Sequence, residues 1–582
     1  MKNKVYLLLI VVLLAMLPGC SDTTITEDDG TVNSSSSNIS SNTTSNNNND
    51  SNSDSNNNTS TSTTTNTTTD NDNSNHTSTN DDNSNNTSSN GTLQITGKVT
   101  YDRVHVNSNG IGLNYNNITQ EPAKQVVVKA IGANGQIIST TTADDNGNYI
   151  LNNIPKNTQV KIRVYAQLKK AGTGGWDVKV VDNTNGDAQY VIEGSLTSTG
   201  NSNSQRNLNA NSGWNGYSYS STRAAAPFAI LGSIYQAIQK VKSADSSATF
   251  PPLVINWSKN NIASGNGTPE ALRDGQIGTS HFNGTELYIL GDANSDTDEY
   301  DDHVMIHEWG HYFEANFSRA DSIGGPHGNG DKLDIRVAFG EGWGNAWSAI
   351  ATDNPIYFDT MGYRQSNGFF MNIETQTPEN PGWYSEASIQ RILYDLYDSH
   401  DDGADTLSMG FGPIYNVLIG PEKTTPAFTS IFTFITYLKE QNPSQVTKID
   451  NILASENIES IQNIYGSTID NTLYLDMIGG EIYNVETSTA NGIGNKLGNH
   501  RYIKFSISSD STYTITVRQV NSRTADPDFA LYQTAPFSQI AMSNGTEEGV
   551  EENSYNLQRG NYLLDISDYN NLSRAYFNVK IQ

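Results

Sequence analysis

The chain has 582 residues, which is too long for a single hydrophobic core and predicts several domains. Only 16% of its residues are charged, yet acids outnumber bases so far that the formal net charge is −28. So acidic a chain lacks the basic surface that phosphate backbones require, and nucleic acid is excluded as an expected partner.

A short apolar segment opens the sequence. Two lysines precede the apolar run of residues 5–17, which is too short to span a bilayer comfortably and is typical of a signal peptide. The run ends in Leu17-Pro18-Gly19-Cys20, and Cys20 is the single cysteine of the chain. This ending resembles the lipobox of bacterial lipoproteins. The resemblance implies a signal peptide over residues 1–20, a lipid on Cys20 and an anchor at the bacterial cell surface, in the outer membrane if the cell is Gram-negative. Ordinary secretion is the alternative.

The next segment, residues 21–92, consists almost entirely of Ser, Asn, Thr and Asp. So few apolar side chains cannot offset the entropy of ordering the backbone, and we expect a disordered tether.

From Leu93 the pattern changes to short alternating strands separated by Asn-Gly and Asp-rich turns, which predicts a β-sandwich over residues 93–196. Its run Thr-x-Asp-x-x-Gly-x-Tyr resembles the carboxypeptidase regulatory-like (transthyretin-like) modules, which implies a spacer or binding role. Residues 197–222 are rich in Ser, Asn and Gly and predict a linker.

Helical periodicity begins in the following segment, which we assign to one domain over residues 223–475. Apolar residues recur at helical spacing between Ala225 and Lys242, and residues 253–257 and 286–290 are typical of strands. We expect residues 281–291 to form the edge of a cleft, where an extended peptide can pair through main-chain hydrogen bonds.

The motif His307-Glu308-x-x-His311 lies in this domain. Residues four apart on a helix lie on one face, so His307 and His311 can present two imidazoles to one metal ion. Glu308 is then placed to polarise a metal-bound water without being a ligand.

The third ligand is expected from a second helix. Glu341 lies in a segment with an apolar face, and two histidines with one glutamate make the three-ligand set of a catalytic zinc site. His327, from a loop, is the alternative. The metzincin pattern is excluded because positions 314 and 317 are Glu and Phe.

Both motifs resemble those of the gluzincins, the fungalysin- and thermolysin-like peptidases, whose second motif reads Gly-Glu-Gly-Trp-Ser-Asp. The resemblance implies an α-rich α+β zincin-like domain, zinc bound by His307, His311 and Glu341, and Glu308 as general base. The family has an acid that orients a zinc histidine where this chain has Asn345. An amide oxygen can still accept from an imidazole N–H, and Asp302 or Asp334 are acids that could substitute.

The oxyanion that forms during peptide hydrolysis needs a donor besides zinc. We predict Tyr384 for this role, with His400 and His327 as the next candidates.

Acidic runs over residues 292–302 and 398–405 flank the motifs. Neither has the EF-hand pattern, so we expect solvated acidic loops, with Ca²⁺ binding as the alternative.

Strand alternation returns over residues 490–582, which predicts a second β-sandwich. It resembles bacterial pre-peptidase C-terminal domains, and this implies an accessory module. The fold class expected is therefore multidomain, with a β-sandwich, a zincin-like domain and a second β-sandwich.

The expected function is that of a surface-tethered, monomeric zinc metalloendopeptidase acting on extracellular proteins or peptides. Two alternatives remain open: an adhesin whose peptidase-like domain is a scaffold, and a metal-dependent hydrolase of another bond, such as a carbohydrate amide.

Overall fold

A computed structural model describes residues 91–582, apart from positions 110, 266, 401–405, 467–472, 521–523 and 546–547. The expected signal peptide, Cys20 and all but the end of the expected tether lie outside the described residues. None of the described helices has the length and apolar character needed to cross a bilayer.

Short strands make up most of the first part of the described chain. They are β1 (Thr92–Val106), β2 (Leu113–Pro122), β3 (Val126–Gly132), β4 (Ile137–Thr142), β5 (Asn148–Pro155), β6 (Gln159–Lys170), β7 (Trp176–Asp182), β8 (Ala188–Gln189), β9 (Val191–Glu193), β10 (Thr197–Ser198), β11 (Ser204–Gln205) and β12 (Leu208–Ala210). In β6 every second residue from Val160 to Leu168 is buried, as the alternation in sequence predicts. Strand β1 is central to a five-stranded sheet with β2, β5, β11 and β12.

A ten-stranded sheet continues past the linker expected at residues 197–222. It includes β13 (Leu253–Trp257), β14 (His281–Phe282) and β15 (Leu287–Ile289). Strand β13 pairs in parallel with β7 on one side and β15 on the other. All but one residue of β13 is buried, as is typical of a strand in the interior of a sheet. Strand β7 is one of its two neighbours. The expected linker itself contributes β10, β11 and β12.

Four further strands form a small sheet in the order β16-β17-β18-β19. They are β16 (Gly291–Asp292), β17 (Asp296–Thr297), β18 (Ile356–Met361) and β19 (Asn367–Asn372).

The α-helices are α1 (Ala226–Ala244), α2 (Pro269–Arg273), α3 (Asp302–Phe317), α4 (Ile335–Thr352), α5 (Glu386–Tyr397), α6 (Phe411–Val417), α7 (Ile431–Gln441) and α8 (Val446–Ser455). Every residue of α4 except Thr352 is buried, so this helix lies inside the protein. It packs on α3 through stacked aromatic rings: Trp309 and Phe313 of α3 contact Trp347 of α4 with ring centroids 5.8 and 5.9 Å apart.

The C-terminal part is again made of strands. They are β20 (Tyr474–Asp476), β21 (Glu481–Thr487), β22 (His500–Ile507), β23 (Ser511–Gln519), β24 (Pro527–Thr534), β25 (Phe537–Ser543), β26 (Val550–Leu557), β27 (Gly560–Asp568) and β28 (Ala575–Ile581). They form sheets of five and four strands around an apolar core. The first of them, β20, precedes the start expected at residue 490 because it pairs in parallel with β22.

A buried polar network joins these C-terminal strands to helix α4. Arg336 of α4 donates to Asp565 of β27 at 2.8 Å and to Asp334 at 2.9 Å, and the Tyr502 hydroxyl donates to Asp334 at 2.6 Å. The described chain is thus strand-rich, with several β-sheets and a smaller number of helices.

Candidate active site

The two histidines of the His-Glu-x-x-His motif lie on one face of α3. Their Nε2 atoms are 3.1 Å apart. His307 is buried and His311 is partly buried. The four-residue spacing stacks the two side chains, as expected from the sequence.

Glu341 reaches the same point from α4. Its Oε2 lies 3.3 Å from Nε2 of His307 and 3.5 Å from Nε2 of His311. One donor atom from each of the three residues lies within 4.8 Å of the other two. The structure therefore brings together the three residues that the sequence nominates as metal ligands.

This triangle has the dimensions of a zinc site. A tetrahedral zinc ion with bonds of about 2.0–2.1 Å separates its ligand atoms by about 3.3 Å. The three separations here are 3.1, 3.3 and 3.5 Å. Two nitrogens and one carboxylate oxygen also leave a fourth position open, as catalytic zinc sites do.

Two glycines allow α3 and α4 to approach this closely. A Cβ atom on Gly344 would lie 2.7 Å from Cε1 of His307, so the imidazole fits only over a residue without a side chain. A Cβ atom on Gly310 would lie 3.0 Å from Trp347 and 3.4 Å from the Cα atom of Gly344. This close approach was not predicted from the sequence, although the glycine at position 344, one helical turn after Glu341, could have indicated it.

Asn345 orients the first histidine. Its Oδ1 is 2.9 Å from Nδ1 of His307. With the amide oxygen facing the ring, this hydrogen bond requires the proton to be on Nδ1. The lone pair of Nε2 then faces His311 and Glu341, as metal binding requires.

The two acids considered as substitutes for Asn345 are held elsewhere, so that alternative is wrong. Asp302 pairs with Arg103 at 2.7 Å. Asp334 pairs with Arg336 at 2.9 Å. Each carboxylate is needed to compensate a buried arginine and is not available to the histidine.

Glu308 points toward the edge of the ten-stranded sheet. Its Oε2 accepts a hydrogen bond of 3.0 Å from the backbone N–H of Phe282 in β14. Burial raises the pKa of Glu308 to about 7, and the nearby charge of Glu341 adds to this effect. A carboxylate with a pKa near neutrality is suited to take up and release a proton.

His327 is a fourth polar side chain at this point. Its Nε2 is 3.3 Å from Oε2 of Glu341, and its Nδ1 is 2.6 Å from Oε2 of Glu386, the first residue of α5. Burial lowers the pKa of His327, but the carboxylates of Glu341 and Glu386 outweigh it and raise the pKa to about 10. The role of Glu386 was missed because nothing in the sequence relates a loop histidine to a helix start 59 positions later.

The other two candidate donors make different contacts. Tyr384 lies just before α5, where its backbone oxygen accepts from Leu333 at 2.8 Å and its ring faces Lys332. His400 is exposed, and its backbone N–H donates to Asp398. Within the described part of the chain, His327 is the one candidate donor at hydrogen-bond or ion-pair distance from Glu341.

The acidic run before α3 is not a solvated loop in its second half, so that expectation is wrong there. Asp298 is 2% exposed and Asp301 is fully buried. Together with Asp359 of β18, Asp296 and Asp298 place one carboxylate oxygen each within 4.8 Å of the others. Most of the second acidic run, residues 401–405, lies outside the described residues.

No protein-family model matches this chain, and no curated protein matches it. The pre-peptidase C-terminal domain of a Bacillus anthracis collagenase matches at 15% identity and a TM-score of 0.15, over 19% of this chain and 94% of that domain. The likeness is weak and local. A periplasmic inhibitor of g-type lysozyme from Aeromonas hydrophila matches at 15% identity and a TM-score of 0.13, over 19% of this chain and 96% of the inhibitor. A carbohydrate-binding module of lichenase 5A from Cellvibrio mixtus matches at 19% identity and a TM-score of 0.11, over 18% of this chain and 87% of the module.

Proposed function

We propose that this chain is a surface-tethered zinc metalloendopeptidase with a zincin-like helical domain of the gluzincin type. The observation that carries the proposal is the triangle of His307, His311 and Glu341, with separations of 3.1–3.5 Å. Its chemistry is that of a catalytic zinc site with two nitrogens, one oxygen and one free position. The substrates would be proteins or peptides outside the cell.

His307, His311 and Glu341 would hold the zinc, and Asn345 would fix the ring of His307 in the metal-binding tautomer. Zinc supplies a Lewis acid that polarises the scissile carbonyl and lowers the pKa of a water molecule toward neutrality.

Glu308 is the general base in this scheme. It takes a proton from the attacking water and then delivers that proton to the amine that leaves. Its hydrogen bond from Phe282 fixes one carboxylate oxygen beside the sheet edge, so the other oxygen is free to exchange the proton. A pKa of about 7 suits both halves of this transfer.

The substrate would bind in extended form along β14. This strand is the last of its sheet, because it pairs only with β15 in the order β14-β15-β13 among the described strands. An extended peptide can add to such an edge through main-chain hydrogen bonds. The hydrogen bond between β14 and Glu308 would then set the scissile bond near the base.

His327 is the donor that we assign to the developing oxyanion, in place of the first-ranked Tyr384. Glu341 and Glu386 both favour the protonated imidazole, and Glu386 holds Nδ1 at 2.6 Å. Nε2, which lies beside Glu341, is therefore the nitrogen that would donate to the oxyanion. Tyr384 stays a prediction, since its known contacts involve its backbone oxygen and its ring and not its hydroxyl.

The surface location rests on the lipobox-like sequence that ends at Cys20, which lies outside the described residues. A lipid on Cys20 would hold the enzyme in the membrane fraction. Replacing Cys20 by Ala should therefore move the protein to the soluble fraction, and a variant that stays membrane-bound would exclude the lipid anchor.

The test of the activity is digestion of a peptide library by the full chain, analysed by mass spectrometry. We expect Glu308→Gln to lower cleavage by about 10³-fold, because general base catalysis contributes about 10²–10⁴-fold. The matched control is Glu379→Gln, which removes the charge of an exposed glutamate.

Absence of cleavage by the zinc-loaded wild type would contradict the peptidase, and so would equal cleavage by Glu308→Gln. Glycan release without peptide cleavage would identify a hydrolase of another bond. Binding to matrix proteins that survives a chelator, without any cleavage, would identify an adhesin.

A further inference from the structure

A second group of acids, some buried and some partly buried, lies beside the start of α3. Asp296 of β17, Asp298 immediately after it and Asp359 of β18 converge with one carboxylate oxygen each within 4.8 Å. Asp301, the residue that precedes α3, is fully buried between the same elements, and its Oδ2 accepts from the N–H and hydroxyl of Thr360 at 2.7 and 2.8 Å.

One carboxylate oxygen of each of these aspartates, Oδ1, is buried without a hydrogen-bond partner among the described residues. Within the described parts of the chain, no donor reaches Oδ1 of Asp296, Asp298, Asp301 or Asp359, and no Lys or Arg pairs with them. Asp298 is the clearest case of an unpartnered buried carboxylate oxygen, because the residue is 2% exposed and the Ser280 hydroxyl donates only to its Oδ2. An unpartnered carboxylate oxygen in the protein interior is costly unless a cation compensates it.

Two neighbouring acids of the same segment are compensated by arginine. Glu299 pairs with Arg223, and Asp302 pairs with Arg103. No described Lys or Arg pairs in this way with the acids that converge. Burial and the neighbouring carboxylates raise the pKa of Asp301 well above its usual value, which reflects this missing positive charge.

We propose that Asp296, Asp298 and Asp359 bind a calcium ion, with Asp301 as the adjacent fourth carboxylate. An all-oxygen, all-carboxylate donor set selects a hard divalent cation over zinc or copper, which favour nitrogen and sulfur. Calcium accepts irregular coordination from loop and strand residues, whereas magnesium demands near-ideal octahedral geometry. The site is not an EF-hand, since its ligands come from two strands and a loop.

The position of this site gives the ion a structural role. It would link β17 and β18 to Asp301, the residue before α3, and His307 lies six positions after Asp301. The proposal does not depend on the peptidase function, because none of its four acids belongs to the zinc triangle.

The test is thermal denaturation of the full chain after metal depletion, with and without about 5 mM CaCl₂, well above the ~10⁻³ M dissociation constants of weak extracellular sites. We expect calcium to raise the Tm of the wild type by at least about 3 °C, and magnesium to raise it much less. Asp298→Asn and Asp359→Asn should abolish the shift, and calorimetric titration should give calcium affinities at least about tenfold weaker.

Both variants should fold without metal, because a neutral amide relieves repulsion among the acids. Asp292→Asn is the matched control, since it removes one charge from the same run outside the cluster, and it should keep the full shift. His307→Ala should also keep it, which separates a calcium site from the zinc triangle.

A wild type whose Tm does not respond to calcium would overturn the proposal, as would a shift that persists in both Asp298→Asn and Asp359→Asn. An equal shift with magnesium would overturn the assignment to calcium.

Discussion

The two clusters near α3 differ in how their charge is balanced. In the triangle of His307, His311 and Glu341, the carboxylate lies among imidazoles, and His327 adds a third at 3.3 Å. Burial favours protonation of Glu341, but these histidines outweigh burial and hold its pKa well below its usual value. In the aspartate cluster, carboxylates face other carboxylates and no cation of the described chain reaches them.

This difference separates the two roles that a metal can have. Glu341 pairs with His327 of the chain itself, so the proposed zinc would be needed at the triangle for chemistry more than for folding. The aspartates cannot all stay ionised without an added cation, so the proposed calcium would be needed there for stability. Metal removal should therefore abolish activity at the first cluster and lower the Tm at the second.

The largest expected effect tests the premise that buried acids need a cation. Asp334 and Asp565 are buried and share Arg336, which the chain itself supplies. Arg336→Met removes the cation that both carboxylates share and leaves Asp334 with the Tyr502 hydroxyl and Asp565 with His500. The free energy of unfolding should fall by about 3–5 kcal/mol. Urea denaturation measures this loss.

The control for that variant is Arg273→Met, which breaks the exposed pair with Glu270 on α2. Its loss should stay below about 1 kcal/mol, as for other surface pairs. Equal losses of stability in the two variants would contradict the premise that buried carboxylates need a cation.

The next effect sharpens the assignment of the zinc ligands. His311→Ala removes a proposed direct ligand. Zinc affinity should therefore fall by more than the ~10–100-fold loss that follows when a residue that only orients a metal ligand is replaced. Competition with a chromophoric chelator measures this affinity. His105→Ala is the matched control, since this histidine lies in β1 and pairs with Thr119. Unchanged zinc affinity in His311→Ala would remove this residue from the site.

The smallest effect concerns Asn345. Asn345→Ala removes the hydrogen bond that fixes His307. Zinc affinity should fall by about tenfold, which is the low end of the loss expected when a residue that orients a metal ligand is replaced. Asn345→Asp should keep or increase the affinity, because a carboxylate accepts the same N–H more strongly. If both variants weakened zinc binding equally, the proposed orientation of His307 would be wrong.

Local patterns predicted much of this architecture. The helix expected between Ala225 and Lys242 is α1, and the His-Glu-x-x-His segment is a helix with both imidazoles on one face. The meeting of Glu341 with these histidines was also predicted, from the apolar face that places it on a second helix and from the resemblance of its motif to that of the gluzincins.

Features that depend on distant pairing were not predicted. The sheet that contains β7 and β13 extends across the expected linker. This was missed because a parallel pairing between strands joined by a long crossover leaves no local signal in the sequence. The burial of Asp298 and Asp301 was missed because a run of acids is usually solvated. The contact of His327 with Glu386 depends on where a loop meets the start of α5, which periodicity does not encode.

The most direct test of the central claim is an anomalous difference map, recorded at the zinc absorption edge from crystals of the zinc-loaded protein. The account predicts one peak about 2.0–2.1 Å from Nε2 of His307, Nε2 of His311 and an oxygen of Glu341. A map without a peak at this triangle, or with zinc held only by other residues, would contradict it.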